Sequence, residues 1–199
     1  MSTIDAMKLF DLLALSAFFD ELTCQKIVAE MRLATENQAT VYGQSSSGFV
    51  DERIRKAARQ TPSPATVDYI QQRLWECKRE VETHFSISLN ECEEPQFLRY
   101  RVGDSFVAHQ DGNTGLLRLD TEARRVSVVI LLTEQTEAPK EGAYCGGSLV
   151  FHDWRNHQGS AEFPLTGKPG TFVAFRSETT HEVTPVTHGE RYSIVTWYR

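Results

Sequence analysis

The stretch Arg125-Val126-Ser127-Val128-Val129-Ile130-Leu131-Leu132 decides the fold. From Val126 to Leu132 it is an apolar run of strand length with Ser127 as its one polar residue, rich in β-branched side chains. Such a run reads as a strand buried on both faces. Just upstream, Leu98, Tyr100 and Val102 alternate with Phe97, Arg99 and Arg101, which is the period of a strand with two different faces. Downstream, Ser148 to Phe151, Thr171 to Phe175 and Arg191 to Tyr198 are further strand candidates. Glycines and prolines punctuate them, Gly146-Gly147 and Pro169-Gly170 among them. Gly146-Gly147 reads as a strand-entry turn. Many short strands in the C-terminal half predict an antiparallel sandwich.

The N-terminal part reads as helical. Leu9 to Phe19 is apolar but broken by Asp11 and lacks a basic flank, so it reads as a first structural element rather than a signal peptide. Cys24, Ile27, Val28 and Met31 fall on one helical face. Ser63-Pro64 offers an N-cap followed by proline at the first helical position, and Val67, Ile70, Leu74, Cys77 and Val81 follow at helical spacing. A helix over Pro64 to His84 is expected. Thr35 to Gly48 is polar and reads as a loop with a short strand at Thr40 to Tyr42. The expected architecture is mostly β with flanking α. It is a single domain over 1–199, with a helical part over about 1–90 and a strand-rich core over about 91–199.

The 199 residues carry a formal net charge of -6, with 40% hydrophobic and 24% charged residues. That length can bury a core without disulfides or structural metal. The negative charge argues against a nucleic-acid binder, and no apolar run reaches membrane-spanning length. Cys24, Cys77, Cys92 and Cys145 show no paired spacing, which suits thiols in a reducing, cytoplasmic compartment.

Chemistry concentrates in three places. His109 and Asp111 lie two residues apart, so in an extended segment both point one way. Alone, this pair is a weak signal. His181, just past the Thr171 to Phe175 strand, completes a set of two histidines and one carboxylate. Such a set covers one face of an octahedral metal and leaves positions open, as in non-haem Fe(II) oxygenases. Arg191 opens the last strand, and Ser193 shares its face. A guanidinium there calls for an anionic partner, with the hydroxyl adding a hydrogen bond.

Taken together, these motifs resemble the Fe(II)/2-oxoglutarate-dependent dioxygenases, specifically their prolyl 4-hydroxylase-like branch. The resemblance runs from about Phe97 to Arg199. It comprises Tyr100 and Gly103 leading into His109 and Asp111, the buried strand, Gly146-Gly147 to Phe151, the block around His181, and Gly189 to Trp197. It implies a double-stranded β-helix, or jelly roll, packed against the N-terminal helices. It further implies that His109, Asp111 and His181 bind Fe(II), and that Arg191, assisted by Ser193, pairs with the distal carboxylate of 2-oxoglutarate. Tyr100 would hydrogen-bond co-substrate or substrate. Many relatives place a tyrosine on the buried strand for the same carboxylate; here Leu131 stands there, and Ser193 is expected to substitute.

The implied reaction is hydroxylation of an unactivated C–H bond, coupled to conversion of 2-oxoglutarate and dioxygen to succinate and carbon dioxide, with ascorbate as a supporting reductant. The expected substrate is a prolyl residue in a peptide or protein. A free amino acid or small metabolite is the alternative, and a catalytically inactive binding or sensing module on the same scaffold is a weaker one. Nucleic-acid demethylation is set aside, because Ser193 and Trp197 stand where that branch carries asparagine and arginine. The polar segment from Gln44 to Arg59 is expected to lie near the mouth of the iron site and to be mobile; its basic residues Arg53, Arg55, Lys56 and Arg59 read as a solvated face, with substrate contact by one of them as the alternative. His152, Trp154 and His157 read as loop residues.

Overall fold

The computed structural model describes residues 7–40, 50–112, 123–153 and 161–199. Among the described residues, two helices and fourteen strands can be bounded at both ends. Helix α1 spans Glu21–Leu33 and α2 spans Pro64–Phe85. The strands are β1 (Leu13–Leu15), β2 (Thr35–Gln38), β3 (Arg55–Lys56), β4 (Ala58–Thr61), β5 (Gln96–Tyr100), β6 (Ser105–His109) and β7 (Val126–Leu131). They continue with β8 (Cys145–Gly146), β9 (Leu149–Asp153), β10 (Ala161–Leu165), β11 (Phe172–Arg176), β12 (His181–Val183), β13 (Val186–His188) and β14 (Arg191–Tyr198).

The strands pair antiparallel into a seven-stranded sheet, ordered β1-β11-β7-β14-β5-β4-β2, and a five-stranded sheet, ordered β10-β9-β12-β6-β3. Together they form the double-stranded β-helix. Strand β7 lies inside the larger sheet and is buried along its whole length, as its continuous apolar run requires. Val126, Val128 and Ile130 face the helices, with Phe172, Ile194 and Tyr198 from neighbouring strands. Val129 and Leu131, with Val173 and Phe175 of the adjacent β11, face the second sheet, where Leu149 and Phe151 of β9 meet them.

The helices cover one outer face of the larger sheet. Cys24, Ile27, Val28 and Met31 of α1 are buried there, with Ile70, Leu74, Val81 and Phe85 of α2. Ser63 caps α2 by accepting the Thr66 N–H, Pro64 stands in its first turn, and Ser86 ends it with φ 54°. Glu30 of α1 ties the two helices, accepting from Ser63 N and Thr66 Oγ1 at 2.5 Å each. Tyr198 donates its buried hydroxyl to the Leu74 carbonyl at 2.6 Å, anchoring the last strand to α2. No helix among the described residues is long and apolar enough to cross a membrane.

The N-terminal stretch holds more strand than its largely helical reading allowed. It also supplies β1 to β4, which extend both sheets. The short strand expected at Thr40 to Tyr42 lies earlier, at Thr35–Gln38; residues 41–49 fall outside the described residues. All four residues of β2 are exposed, so this edge strand carries no apolar alternation to betray it. Strands β3 and β4 are held by pairing with β6 and β5, partners distant in sequence.

Candidate metal and co-substrate site

A cavity of about 150 Å³ lies between the two sheets. Its walls include Leu98, Tyr100, Arg191, Val195 and Trp197 from the larger sheet. Phe106, His109, His181 and Val183 face them from the smaller one.

His109 ends β6 and His181 opens β12, and the two residues are register partners. Asp111 follows β6 by two residues, and its N–H donates to Ser177 O at 2.9 Å. Gln110, between the two, donates to Glu178 O at 2.7 Å, tying this turn to the loop that carries His181. The result is three donors facing one point. His109 Nε2 stands 3.5 Å from Asp111 Oδ1, and His181 Nε2 stands 3.5 Å from Asp111 Oδ2. The ligand atoms of all three residues lie within 4.8 Å of one another.

The backbone selects the ring nitrogen that faces this point. His109 Nδ1 is 2.8 Å from Val107 O, and His181 Nδ1 is 2.9 Å from Thr179 O. A carbonyl only accepts, so each Nδ1 carries the proton and each Nε2 keeps its lone pair. Burial pushes His181 down to about 4, with His109 adding to the effect, so its imidazole is neutral at physiological pH. Burial works against ionisation of Asp111, yet His181 and then the hydrogen-bonded His109 hold its pKa below the usual carboxylate range. Two neutral imidazoles and one carboxylate fit a divalent metal with positions left open.

Arg191 is 1% exposed. It lies over the ring of Tyr100, its cross-strand partner, at 5.2 Å and donates from Nη1 to Ser193 Oγ at 2.8 Å. Its Nε is buried with no partner. A desolvated guanidinium with one N–H unused on a cavity wall fits an anionic ligand. Ser193 shares the strand face of Arg191, and Tyr100 meets the guanidinium through its ring face.

Several residues of the site carry no signal in the sequence reading. Tyr144 is buried beside Arg191. Burial raises its phenol's pKa, and the charge and hydrogen bonding of Arg191 oppose the rise. Arg124 lines the cavity and is paired through two nitrogens with Glu93, each contact 2.7 Å. The position of Tyr144 three residues before Gly147 is the one cue available in the sequence.

Of the four basic residues singled out, Arg55 lines the cavity, with Nη1 donating to Thr40 O at 3.0 Å. Arg53, Lys56 and Arg59 instead pair with Asp51, Asp104 and Glu94. The expected cover over 44–59 is described only from residue 50 onward; of that part, Ile54 and Arg55 line the cavity. His152 departs from its loop reading. It is buried within β9, because β10 pairs alongside, and it faces Glu162 and Glu182. Trp154 and His157 lie outside the described residues.

The sequence profile of the 2OG-Fe(II) oxygenase superfamily matches residues 95–199, more than half of the chain. The chain belongs to that superfamily. Its members are dioxygenases that use Fe(II) and 2-oxoglutarate, and the triad and Arg191 both fall inside the matched region. A PKHD-type hydroxylase of Shewanella oneidensis is 34% identical over 108 residues, covering 52% of this chain and 41% of that protein. The chain thus spans about two fifths of that relative's length. Among solved structures, a Pseudomonas putida prolyl-4-hydroxylase superposes with TM-score 0.70 at 21% identity, covering 98% of this chain and 96% of that one. A Trichoplax adhaerens prolyl hydroxylase in complex with a hypoxia inducible factor peptide fragment gives TM-score 0.66 at 14% identity, covering 98% and 86%. These likenesses are likenesses of fold.

Proposed function

We propose that this chain is a 2-oxoglutarate-dependent hydroxylase acting on an unactivated C–H bond, with a prolyl residue of a peptide or protein as substrate. The observation that carries the reading is one cavity holding both halves of the machinery. His109, Asp111 and His181 converge in it, and Arg191 is buried on the same wall system with an unpaired Nε.

In this reading His109, Asp111 and His181 hold Fe(II), and Arg191 with Ser193 grips the distal carboxylate of 2-oxoglutarate. Bound there, iron, 2-oxoglutarate and dioxygen supply the oxidising chemistry that hydroxylates carbon and releases succinate and carbon dioxide. The chain's own residues orient the parties. The Val107 and Thr179 carbonyls fix the two imidazoles. Phe106, stacked on His109 at 3.6 Å, and Phe175, edge-on to His181 at 4.6 Å, stop the rings from turning. Apolar walls from Leu98, Val183 and Val195 limit access of water to the reacting bond.

The prolyl assignment draws on the two solved prolyl hydroxylases of like fold, one of them bound to a peptide. A free amino acid or small metabolite is the second reading, and Arg55 is the observation that favours it. Its Nε is buried without a partner on the cavity wall, where a substrate carboxylate would satisfy it. A complete triad and a buried Arg191 count against an inactive binding module. Four free thiols suit a reducing, cytoplasmic compartment.

The test is conversion of 2-oxoglutarate to succinate across a panel of proline-containing peptides and free amino acids, with mass spectrometry for a product heavier by one oxygen. Turnover stimulated by peptides supports the first reading. Stimulation by free amino acids alone replaces it with the second, and no succinate from any member overturns both.

A further inference from the structure

Strand β7 offers no hydroxyl to the Arg191 end of the cavity. Leu131 is the register partner of Ser193, and its Cδ1 packs toward Gly167. The segment between β7 and β8 supplies a phenol instead. Tyr144 N donates to Glu134 O at 3.0 Å, and Thr136 N donates to Tyr144 O at 2.9 Å. On the other side Gly189, at φ 70°, packs so closely that a Cβ there would stand 2.2 Å from Ala143 O. The backbone of Tyr144 is therefore clamped from two directions.

Its ring is directed at Arg191 by a residue with no side chain. A Cβ on Gly147 would stand 3.2 Å from Tyr144 Cε2 and 3.2 Å from Arg191 Cδ. The tyrosine ring and the arginine stem thus close over the same bare backbone position. Gly147 is at φ 57° and Gly146 at φ 67°, where side chains are disfavoured, which accounts for both glycines of the pair.

The three side chains gathered here are unbalanced in hydrogen bonding. A guanidinium offers only donors, whereas tyrosine and serine hydroxyls each donate and accept. Arg191 uses Nη1 on Ser193, its Nε has no partner, and Tyr144 is itself 1% exposed. A buried group with surplus donors is satisfied by a ligand that only accepts, which describes a carboxylate.

We propose that Tyr144 is a co-substrate-recognition residue whose hydroxyl donates to the distal carboxylate of 2-oxoglutarate alongside Arg191, in place of a tyrosine on β7. This rests on the assignment of Arg191 given above. The phenol keeps its proton at physiological pH, since burial raises its pKa. Tyr144 and Arg191 together then select a 2-oxo acid that carries a second carboxylate at this reach.

The experiment compares wild type with Tyr144→Phe, loaded with Mn(II), by equilibrium binding of 2-oxoglutarate and of pyruvate, which lacks the distal carboxylate. A hydrogen bond to a charged group corresponds to a loss of about tenfold or more. Tyr144→Phe should weaken 2-oxoglutarate by that factor while leaving Mn(II) and pyruvate binding within twofold of wild type. Unchanged 2-oxoglutarate affinity overturns the proposal, as does an equal loss for both acids, which would mark general damage. If Tyr144→Phe does not fold, Tyr144→Gln and Tyr144→Leu are compared. Tighter 2-oxoglutarate binding by the glutamine variant supports the proposal, and equal binding overturns it. Arg191→Ala is run beside them. Wild-type 2-oxoglutarate affinity in that variant would show that the Arg191 assignment has failed, and a loss in Arg191→Ala with none in Tyr144→Phe would show that only the tyrosine assignment has.

Discussion

The guanidinium of Arg124 lies over the indole of Trp197, 3.6 Å from the ring centroid. Its nitrogens meanwhile hold both oxygens of Glu93, and Glu93 Oε1 also accepts from Arg199 Nε at 2.9 Å. Trp197 belongs to the cavity wall, so one carboxylate outside the cavity braces a wall residue through an arginine. Glu93→Ala leaves two cations without their partner, and losing partly buried, charge-assisted hydrogen bonds of this kind costs about 1–3 kcal/mol. Urea denaturation should show a loss in that range for Glu93→Ala and a smaller one for Glu93→Gln. Arg124→Lys, which cannot reproduce the two-nitrogen contact, should also lose stability.

Metal binding should stabilise the fold. At a free concentration a hundred times the dissociation constant, a ligand adds about 2.7 kcal/mol. For a chain of this size that is a rise in Tm of roughly 5–10 °C. Mn(II) should produce this shift in wild type and none in Asp111→Ala or His181→Ala, as read by thermal melts. A full shift in both variants would place the ion elsewhere.

Arg191→Ala should separate metal from co-substrate. The Mn(II)-induced rise in Tm should survive, because His109, Asp111 and His181 make up the convergent set and Arg191 is not one of them. Binding of 2-oxoglutarate should fall by about 2–5 kcal/mol, the usual cost of truncating one side of a buried charged pair. Calorimetry on the Mn(II)-loaded variant measures both.

Leu74→Ala tests whether stability and site are separable. Leu74 is fully buried between α2 and the helix-facing side of the larger sheet, opposite the cavity. The substitution should cost about 2–5 kcal/mol. The Mn(II) affinity of the folded fraction should match wild type, which titration below the melting transition would show.

The parts of this architecture that were legible in the sequence are those in which local pattern and tertiary burial agree. Strand β7 is apolar because both of its faces are covered, and α2 announces itself by Ser63, Pro64 and a helical apolar stripe. The triad was legible because His109 and Asp111 are close in sequence and His181 directly follows a buried strand. Strands β2 to β4 were not. They are short and mostly polar or charged, and the pairing of β3 with β6, of β4 with β5 and of β2 with β4 makes them strands. Tyr144 was hidden for a related reason. Its neighbour Arg191 lies 47 positions away by direct subtraction, and a glycine, not a pattern of side chains, brings the two together. Arg124 reads as one of two consecutive arginines before an apolar run, and only folding shows that it is buried against Trp197.

Ala57 is the single residue between β3, which joins the sheet carrying His109, and β4, which joins the sheet carrying Arg191. At this edge the sandwich is stitched by two Cα–Cα steps of about 3.8 Å each. The sheets cannot gape there as a hinge would, so any widening of the entrance falls to the connections around it. The frame that spaces the triad from the arginine is thereby insulated from changes in those connections. Loops from other members of the superfamily could be grafted onto the rim to retarget this scaffold while the separation of its two anchoring points stays as the chain has set it.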